Sequence, residues 1–148
     1  MEHNILTFDE LKTSEDSNVA VIECYHASQI KMHSHNFYEF VYVREGFTVH
    51  NYSDSTTILT EGDMFAISPG VTHAYTGLHY TKVFNCIFKK DAIADKLGVF
   101  NAMPGLSNIF GEEHKKEWIR IRLDTAERMR IVAVLEKMVE EQGQRQLG

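Results

Sequence analysis

Cysteine, basic charge and long apolar runs are all scarce in this 148-residue sequence. The two cysteines, Cys24 and Cys86, lie far apart, each inside an apolar segment and neither in a CxxC spacing. That excludes a disulfide framework and a thiol-based zinc or redox site, and it reads as two small core residues kept in a reducing compartment, the cytoplasm. No apolar run approaches the roughly 18 residues of a membrane-spanning helix. The polar, acidic start MEHNILTFDELKTSEDS has neither the basic nor the apolar region of a secretory signal. The formal net charge is -6, and nucleic-acid binders neutralise phosphates with clustered Lys and Arg. Residues 1–110 hold 7 basic and 13 acidic side chains, so the whole deficit sits there, while 111–148 hold 8 of each. A basic arm or tail is excluded.

What is present is alternation. From residue 19 to about residue 88 the apolar positions follow a period of two, the signature of strands with one face buried. VAVIECY at 19–25 and YEFVYV at 38–43 are β-branched and aromatic, and FTVHNYS, STTILT, DMFAIS, THAYTG and YTKVFNCIF follow at 47–53, 55–60, 63–68, 72–77 and 80–88. Glu45-Gly46, Ser53-Asp54, Glu61-Gly62, Pro69-Gly70 and Gly77 read as turns between them. Short strands at near-regular spacing predict a sandwich or small barrel, a mainly β domain over residues 19–90. Residues 1–18 read as an arm, a frayed terminus rather than a lid over the barrel mouth.

Residues 91–148 read as a helical region. DAIADKLG at 91–98 predicts a short helix ended by Gly98, and 101–116 a loop or broken helix. WIRIRL at 118–123 is a strand or a helix entry, and Trp118 is expected to pack a helix against the sheet. Asp124 and Glu127 have capping-box spacing and open an amphipathic helix over 125–142, with Ile131, Val134, Leu135, Met138 and Val139 on its apolar stripe.

Eight histidines are present, and His3, His26, His50 and His114 belong to no pattern; His79 reads as a half-exposed strand residue. The other three form a constellation. His33 and His35 are two apart and share one strand face, Glu39 has the same parity, and His73 follows the Pro69-Gly70 turn on another strand. Tyr75 shares the parity of His73 and is expected to point into the same cavity. A carboxylate inside YEFVY is costly to bury unless paired or ligated. Three imidazoles and a carboxylate make a mixed nitrogen and oxygen ligand set, suited to iron, manganese, nickel, copper or zinc rather than to calcium or magnesium. The set carries a geometric condition. On a straight strand at roughly 3.3 Å per residue, His35 and Glu39 would stand about 13 Å apart, whereas ligands approach one ion within about 2.0–2.2 Å. The chain must bend near Asn36 and Phe37.

HSHNFYEFVYVREG at 33–46 resembles the first cupin motif, His-x-His, three residues, Glu, six residues, Gly, and GDMFAISPGVTHAY at 62–75 resembles the second, from Gly through Pro-Gly to His. The spacing agrees at His33, His35, Glu39, Gly46, Gly62, Pro69, Gly70 and His73. It departs at Ala27, where a Gly often precedes the first His by six, and at Gly77, where an Asn can follow the last His by four. With the apolar KVFNCIF strand after them, these motifs resemble the N-terminal sensor domain of AraC-type transcription regulators over residues 19 to 142.

The resemblance implies a cupin double-stranded β-helix, a small jelly-roll barrel, followed by C-terminal α-helices. It implies a small-molecule effector, a sugar or small metabolite, bound by His33, His35, Glu39, His73 and Tyr75. The divalent metal it implies, zinc, nickel, iron or manganese, would be held by His33, His35, Glu39 and His73. It also implies a homodimer formed through Ile131, Val134, Leu135, Met138 and Val139 of the C-terminal helix. The partner DNA would be met only by a helix-turn-helix domain beyond Gly148, and no membrane is involved. No catalytic residue is expected. The competing expectation is a stand-alone metal-dependent cupin enzyme of the dioxygenase or isomerase type.

Overall fold

The computed structural model describes residues 4–103, 105–110 and 118–146. Eight strands form a single curled sheet. They are β1 (Asn4–Leu6), β2 (Val19–His26), β3 (Ile30–His35), β4 (Tyr38–Tyr52), β5 (Ser55–Thr60), β6 (Met64–Ile67), β7 (His73–Phe88) and β8 (Trp118–Ile121). The hydrogen-bonded path runs β1-β3-β7-β4-β6-β8, with β2 added to β7 and β5 added to β4.

The two longest strands account for the curl. The first half of β4 pairs with β6 and its second half with β5. Along its whole length β4 also faces β7, whose start pairs with β3 and whose end pairs with β2. This is the mainly β, cupin-type double-stranded β-helix that the motifs imply.

Two expected turns are continuous strand instead. Glu45-Gly46 and Gly77 lie inside β4 and β7. At the first, the β4–β7 register shifts between Val43 and Glu45, again by Phe47 and again by Val49, and Gly46 has φ 80°. A glycine in the left-handed region with register slippage is a bulge, which bends a strand and changes its inward parity without ending it. Before the bulge Val41 and Val43 are buried; after it Thr48 and His50 are.

The arm is ordered rather than frayed. β1 runs parallel to β3, pairing Asn4 with His33 and Leu6 with His35. A single helical turn, α1 (Phe8–Leu11), follows, with Glu10 accepting hydrogen bonds from the Thr7 amide and hydroxyl. Phe8 is fully buried, edge-on to Phe37 at 6.3 Å between ring centroids. The acidic appearance of the segment concealed three apolar anchors, Leu6, Phe8 and Leu11, which pack with Phe37 and Ile87. With β8 paired to β6, the sheet extends past 19–90 at both ends.

Beyond β7, a 3-10 segment (Lys90–Lys96) leads into α2 (Leu97–Ala102), which runs through Gly98 rather than ending there. α3 (Ser107–Phe110) buries Ile109 and Phe110 against Tyr38 and Phe88. The remainder of the 101–116 loop expectation, Pro104 and residues 111–116, lies outside the described residues, as do His3 and His114 and the side chain of His79.

WIRI forms a strand, and Trp118 packs against the barrel core beside Phe65 rather than against a helix. The last element, α4 (Thr125–Gln146), opens on the expected capping box. The Glu127 amide donates to Asp124 Oδ1 and the Asp124 amide to Glu127 Oε2, both at 2.8 Å. Gly143 does not stop it at 142. Among the described residues no helix is long and apolar enough to cross a membrane.

The stripe of α4 faces its own barrel. Ile131, Leu135, Met138 and Val139 pack with Val21, Tyr42, Met64 and Phe84. Leu135 is buried, while Val134 is 57% exposed and Met129 70% exposed. Four of the five positions expected at a dimer contact are thus occupied within the protomer, because the sheet's outer face is itself apolar there.

Candidate functional site

The bend that the metal geometry requires is present. β3 ends at His35 and β4 begins at Tyr38, and Asn36 between them is tied to the arm. Its amide donates to the Leu6 carbonyl at 3.2 Å, and its Oδ1 accepts from the Phe8 amide at 2.9 Å. On the other side the Gly70 amide donates to the His35 carbonyl at 2.8 Å, so the Pro69-Gly70 turn holds the same point. His33 and His73 are direct partners across the antiparallel β3–β7 pair.

His33, His35, Glu39 and His73 are all buried. His35 Nε2 lies 3.5 Å and His73 Nε2 3.9 Å from Glu39 Oε2, and one ligand atom from each of the three lies within 4.8 Å of the others. A tetrahedral ion with ligands at about 2.0–2.2 Å spaces them roughly 3.3–3.6 Å apart, close to the observed distances. His33 stands beside this triad, its ring centroid 4.3 Å from that of His73, but outside the tight set.

The hydrogen bonds fix which nitrogen faces inward. Nδ1 of His33, His35 and His73 lies 2.9, 2.7 and 3.3 Å from the carbonyls of Lys31, Phe37 and Val71. A carbonyl only accepts, so each Nδ1 carries the proton and each Nε2 presents a lone pair. His35 Nε2, His73 Nε2 and Glu39 Oε2 are buried without a hydrogen-bond partner. Acceptors gathered with no donor between them repel one another, and a cation relieves that repulsion.

The electrostatics agree. Burial, partly offset by Glu39, drives His73 down to about 3, so its imidazole is neutral and available as a ligand.

Tyr75 points where its parity predicts. Its buried hydroxyl has no partner, and burial raises it well above the usual phenol range. Its ring lies 5.5 Å from that of His73 and stacks on His26 at 6.5 Å.

Sequence reasoning missed His50. It is 1% exposed, neither ring nitrogen has a partner, and burial lowers it to about 4. The rings of Trp118, Tyr75 and His73 surround it at 4.7, 5.2 and 5.5 Å. The Gly46 bulge turned it inward, and the one available signal was that glycine read as a bulge rather than a turn.

His33, His35, Glu39 and Tyr75 border a cavity of about 210 Å³, with His73 and His50 packed behind them. His26, His33, His35, Glu39, Thr48, Tyr75 and Asn85 contribute polar lining, and Leu6 and Leu11 of the arm, Ile22 and Ile87 contribute apolar lining. A concave, mostly apolar space with a few converging polar groups is the form of a small-molecule site.

Residues 18–77 match the family described as the AraC-like ligand binding domain. Both motifs fall within that range.

Outside that range the likeness continues. The chain is 29% identical over 137 residues to the HTH-type transcriptional activator RhaR of Shigella dysenteriae, an alignment covering 92% of this chain and 48% of the relative. It is 30% identical over 115 residues to RhaR of Escherichia coli O139:H28, covering 77% of this chain and 41% of the relative. The chain spans about half the length of the curated relatives it matches. Among solved structures, apo ToxT K231A from Vibrio cholerae superposes with a TM-score of 0.59 at 10% identity, over 82% of this chain and 48% of that one. At that identity the likeness is one of fold, and it reaches beyond the barrel.

Proposed function

We propose that the domain senses a small molecule inside the barrel, bound together with a divalent metal ion. Occupancy would then be passed through α4 to a helix-turn-helix region of a cytoplasmic transcription regulator. The observation that carries this reading is the set of buried, unpartnered acceptors of His35, Glu39 and His73, the first two of which line a cavity. His35, Glu39 and His73 would hold the ion, with His33 the adjacent fourth ligand once it shifts inward. A bound ion would supply a Lewis-acidic centre on which an effector's donor atom can rest.

Tyr75 would orient the effector by a hydrogen bond, with His50 packed behind its ring. The names of the relatives, transcriptional activators, support a binding role over a catalytic one.

Sensing requires that the effector favour one of two states of the protein. The arm contributes Leu6 and Leu11 to the cavity, and β2 contributes Ile22 and Cys24. β2 in turn packs on α4, so cavity filling and helix position share one wall. Homodimer formation is proposed through the exposed flank of α4 at Val134, an apolar position that its own barrel leaves 57% exposed.

Metal analysis of untagged protein, purified without a nickel column, tests the core of the reading. One equivalent of transition metal in the wild type, lost in His35→Ala and His73→Ala, is expected. Metal-free protein that also fails to take up added zinc overturns it. Light scattering of Val134→Glu tests the dimer, and an unchanged mass counts against this face.

A further inference from the structure

The cavity is chemically divided, and the division bears on what fills it. Leu6, Leu11, Ile22, Phe37 and Ile87 line it from within one packed apolar cluster. The acceptors of His35, Glu39 and His73 lie beside that cluster, because the Phe37 ring stacks on His35 at 4.5 Å. Among the described lining residues Glu39 is the only carboxylate, and none is Lys or Arg.

We propose that the ligand is a compact monocarboxylate with an apolar ring or branched chain. Its carboxylate sits on the cation held by His35, Glu39 and His73, and its tail lies against the Leu6, Leu11, Ile22, Phe37 and Ile87 cluster. The proposal rests on the reading of the cavity as a metal-dependent effector site.

Charge balance selects the head group. A divalent ion held by neutral imidazoles and one carboxylate leaves a net single positive charge among buried side chains. A buried charge of that kind requires a counter-charge, and the described lining supplies none beyond Glu39. A monoanion closes the balance; a dianion overshoots it. The Tyr75 hydroxyl, buried without a partner, is a donor for the second carboxylate oxygen.

The apolar cluster selects the tail. A sugar carries hydroxyls around its whole ring, and those set against Leu6, Leu11, Ile22 and Ile87 would lose their water partners without replacement. Size agrees. The cavity, at about 210 Å³, lies below the roughly 300–1,000 Å³ of sites for drug-sized ligands.

The test uses the full chain, zinc-loaded and chelator-stripped, titrated calorimetrically with cyclohexanecarboxylate, acetate and glucose, while zinc affinity is measured separately. Cyclohexanecarboxylate is expected to bind the zinc-loaded protein at least tenfold more tightly than acetate, and to lose that binding when zinc is stripped. Leu11→Ser is expected to narrow the gap several-fold with zinc affinity unchanged, its thermal unfolding confirming that it folds. Equal binding of acetate and cyclohexanecarboxylate, binding that survives zinc removal, or glucose binding as tightly overturns the proposal. Zinc that fails to bind at all overturns the metal reading beneath it, and the separate zinc titration distinguishes that outcome.

Discussion

The side-chain amide of Gln142, near the end of α4, closes on the backbone of Val21 in β2. Its Oε1 accepts from the Val21 amide and its Nε2 donates to the Val21 carbonyl, both at 2.8 Å. One amide thereby imitates a neighbouring strand on the edge of β2 that faces away from β7, and Thr13 of the arm reaches the same Oε1 at 3.5 Å. Next along β2, Ile22 and Cys24 line the cavity. Replacing Gln142 by Ala leaves two half-buried backbone groups without partners, an expected cost of about 1–3 kcal/mol. Hydrogen exchange should show faster exchange of the Val21 amide together with fraying of the last turns of α4. Loss of protection at Val21 alone, with α4 unaffected, would show that the clamp does not join them.

Asn36 makes a comparable link at the other end of the site. It holds the bend between the two ligand-bearing strands by bonds to Leu6 and Phe8. Asn36→Ala removes the acceptor of the Phe8 amide while leaving the apolar anchors in place. The expected outcome is a loss of about 1 kcal/mol in urea unfolding, faster proteolysis of the arm, and weaker zinc binding because His35 and Glu39 are no longer held in register. Asn36→Asp, which keeps the acceptor, should restore most of each.

Much of this was legible in sequence because local chemistry decided it. The strands from Val19 to Phe88, the capping box at Asp124 and Glu127, the bend between His35 and Glu39 and the inward Tyr75 all follow from parity and spacing. What escaped shares one cause, pairing between distant segments. A glycine flanked by alternating residues reads as a turn, and only the partner strand β7 makes Gly46 a bulge, which turns His50 inward. Leu6, Phe8 and Leu11 are too few to announce a packed arm until Phe37 and Ile87 are brought beside them. Likewise the stripe on α4 cannot say whether its own sheet or a second chain covers it.

His50 gives the fold a pH dependence whose sign is fixed by burial. Its imidazole sits at about 4 in the folded protein against an ordinary 6.5. Below pH 6.5 the unfolded chain takes up a proton that the folded one refuses, so stability falls as pH drops from 6.5 to about 4 and is not reduced further by this group below that. The full loss is on the order of 3 kcal/mol. Urea unfolding of chelator-stripped protein at pH 7, 5.5 and 4.5 measures it. His50→Phe should flatten the profile over this window by a comparable amount, leaving the part contributed by His73. An unchanged slope would show that His50 is protonated in the folded state.

Glu39→Gln separates a ligand site from a structural carboxylate by the signs of two effects. In the wild type the carboxylate faces the lone pairs of His35 and His73 with no proton between them, an arrangement that favours a cation and strains the metal-free protein. The amide keeps the shape, loses the charge and gains N–H donors aimed at His35 Nε2. Metal-free Glu39→Gln should therefore be more stable than metal-free wild type, by about 1 kcal/mol. With zinc at 100 times its dissociation constant the wild type should gain about 2.7 kcal/mol, and the variant should gain almost none. Thermal unfolding with and without zinc reads both. A metal-free variant less stable than the wild type would mean that Glu39 serves the fold through its charge, and that the acceptor cluster is not held open for an ion.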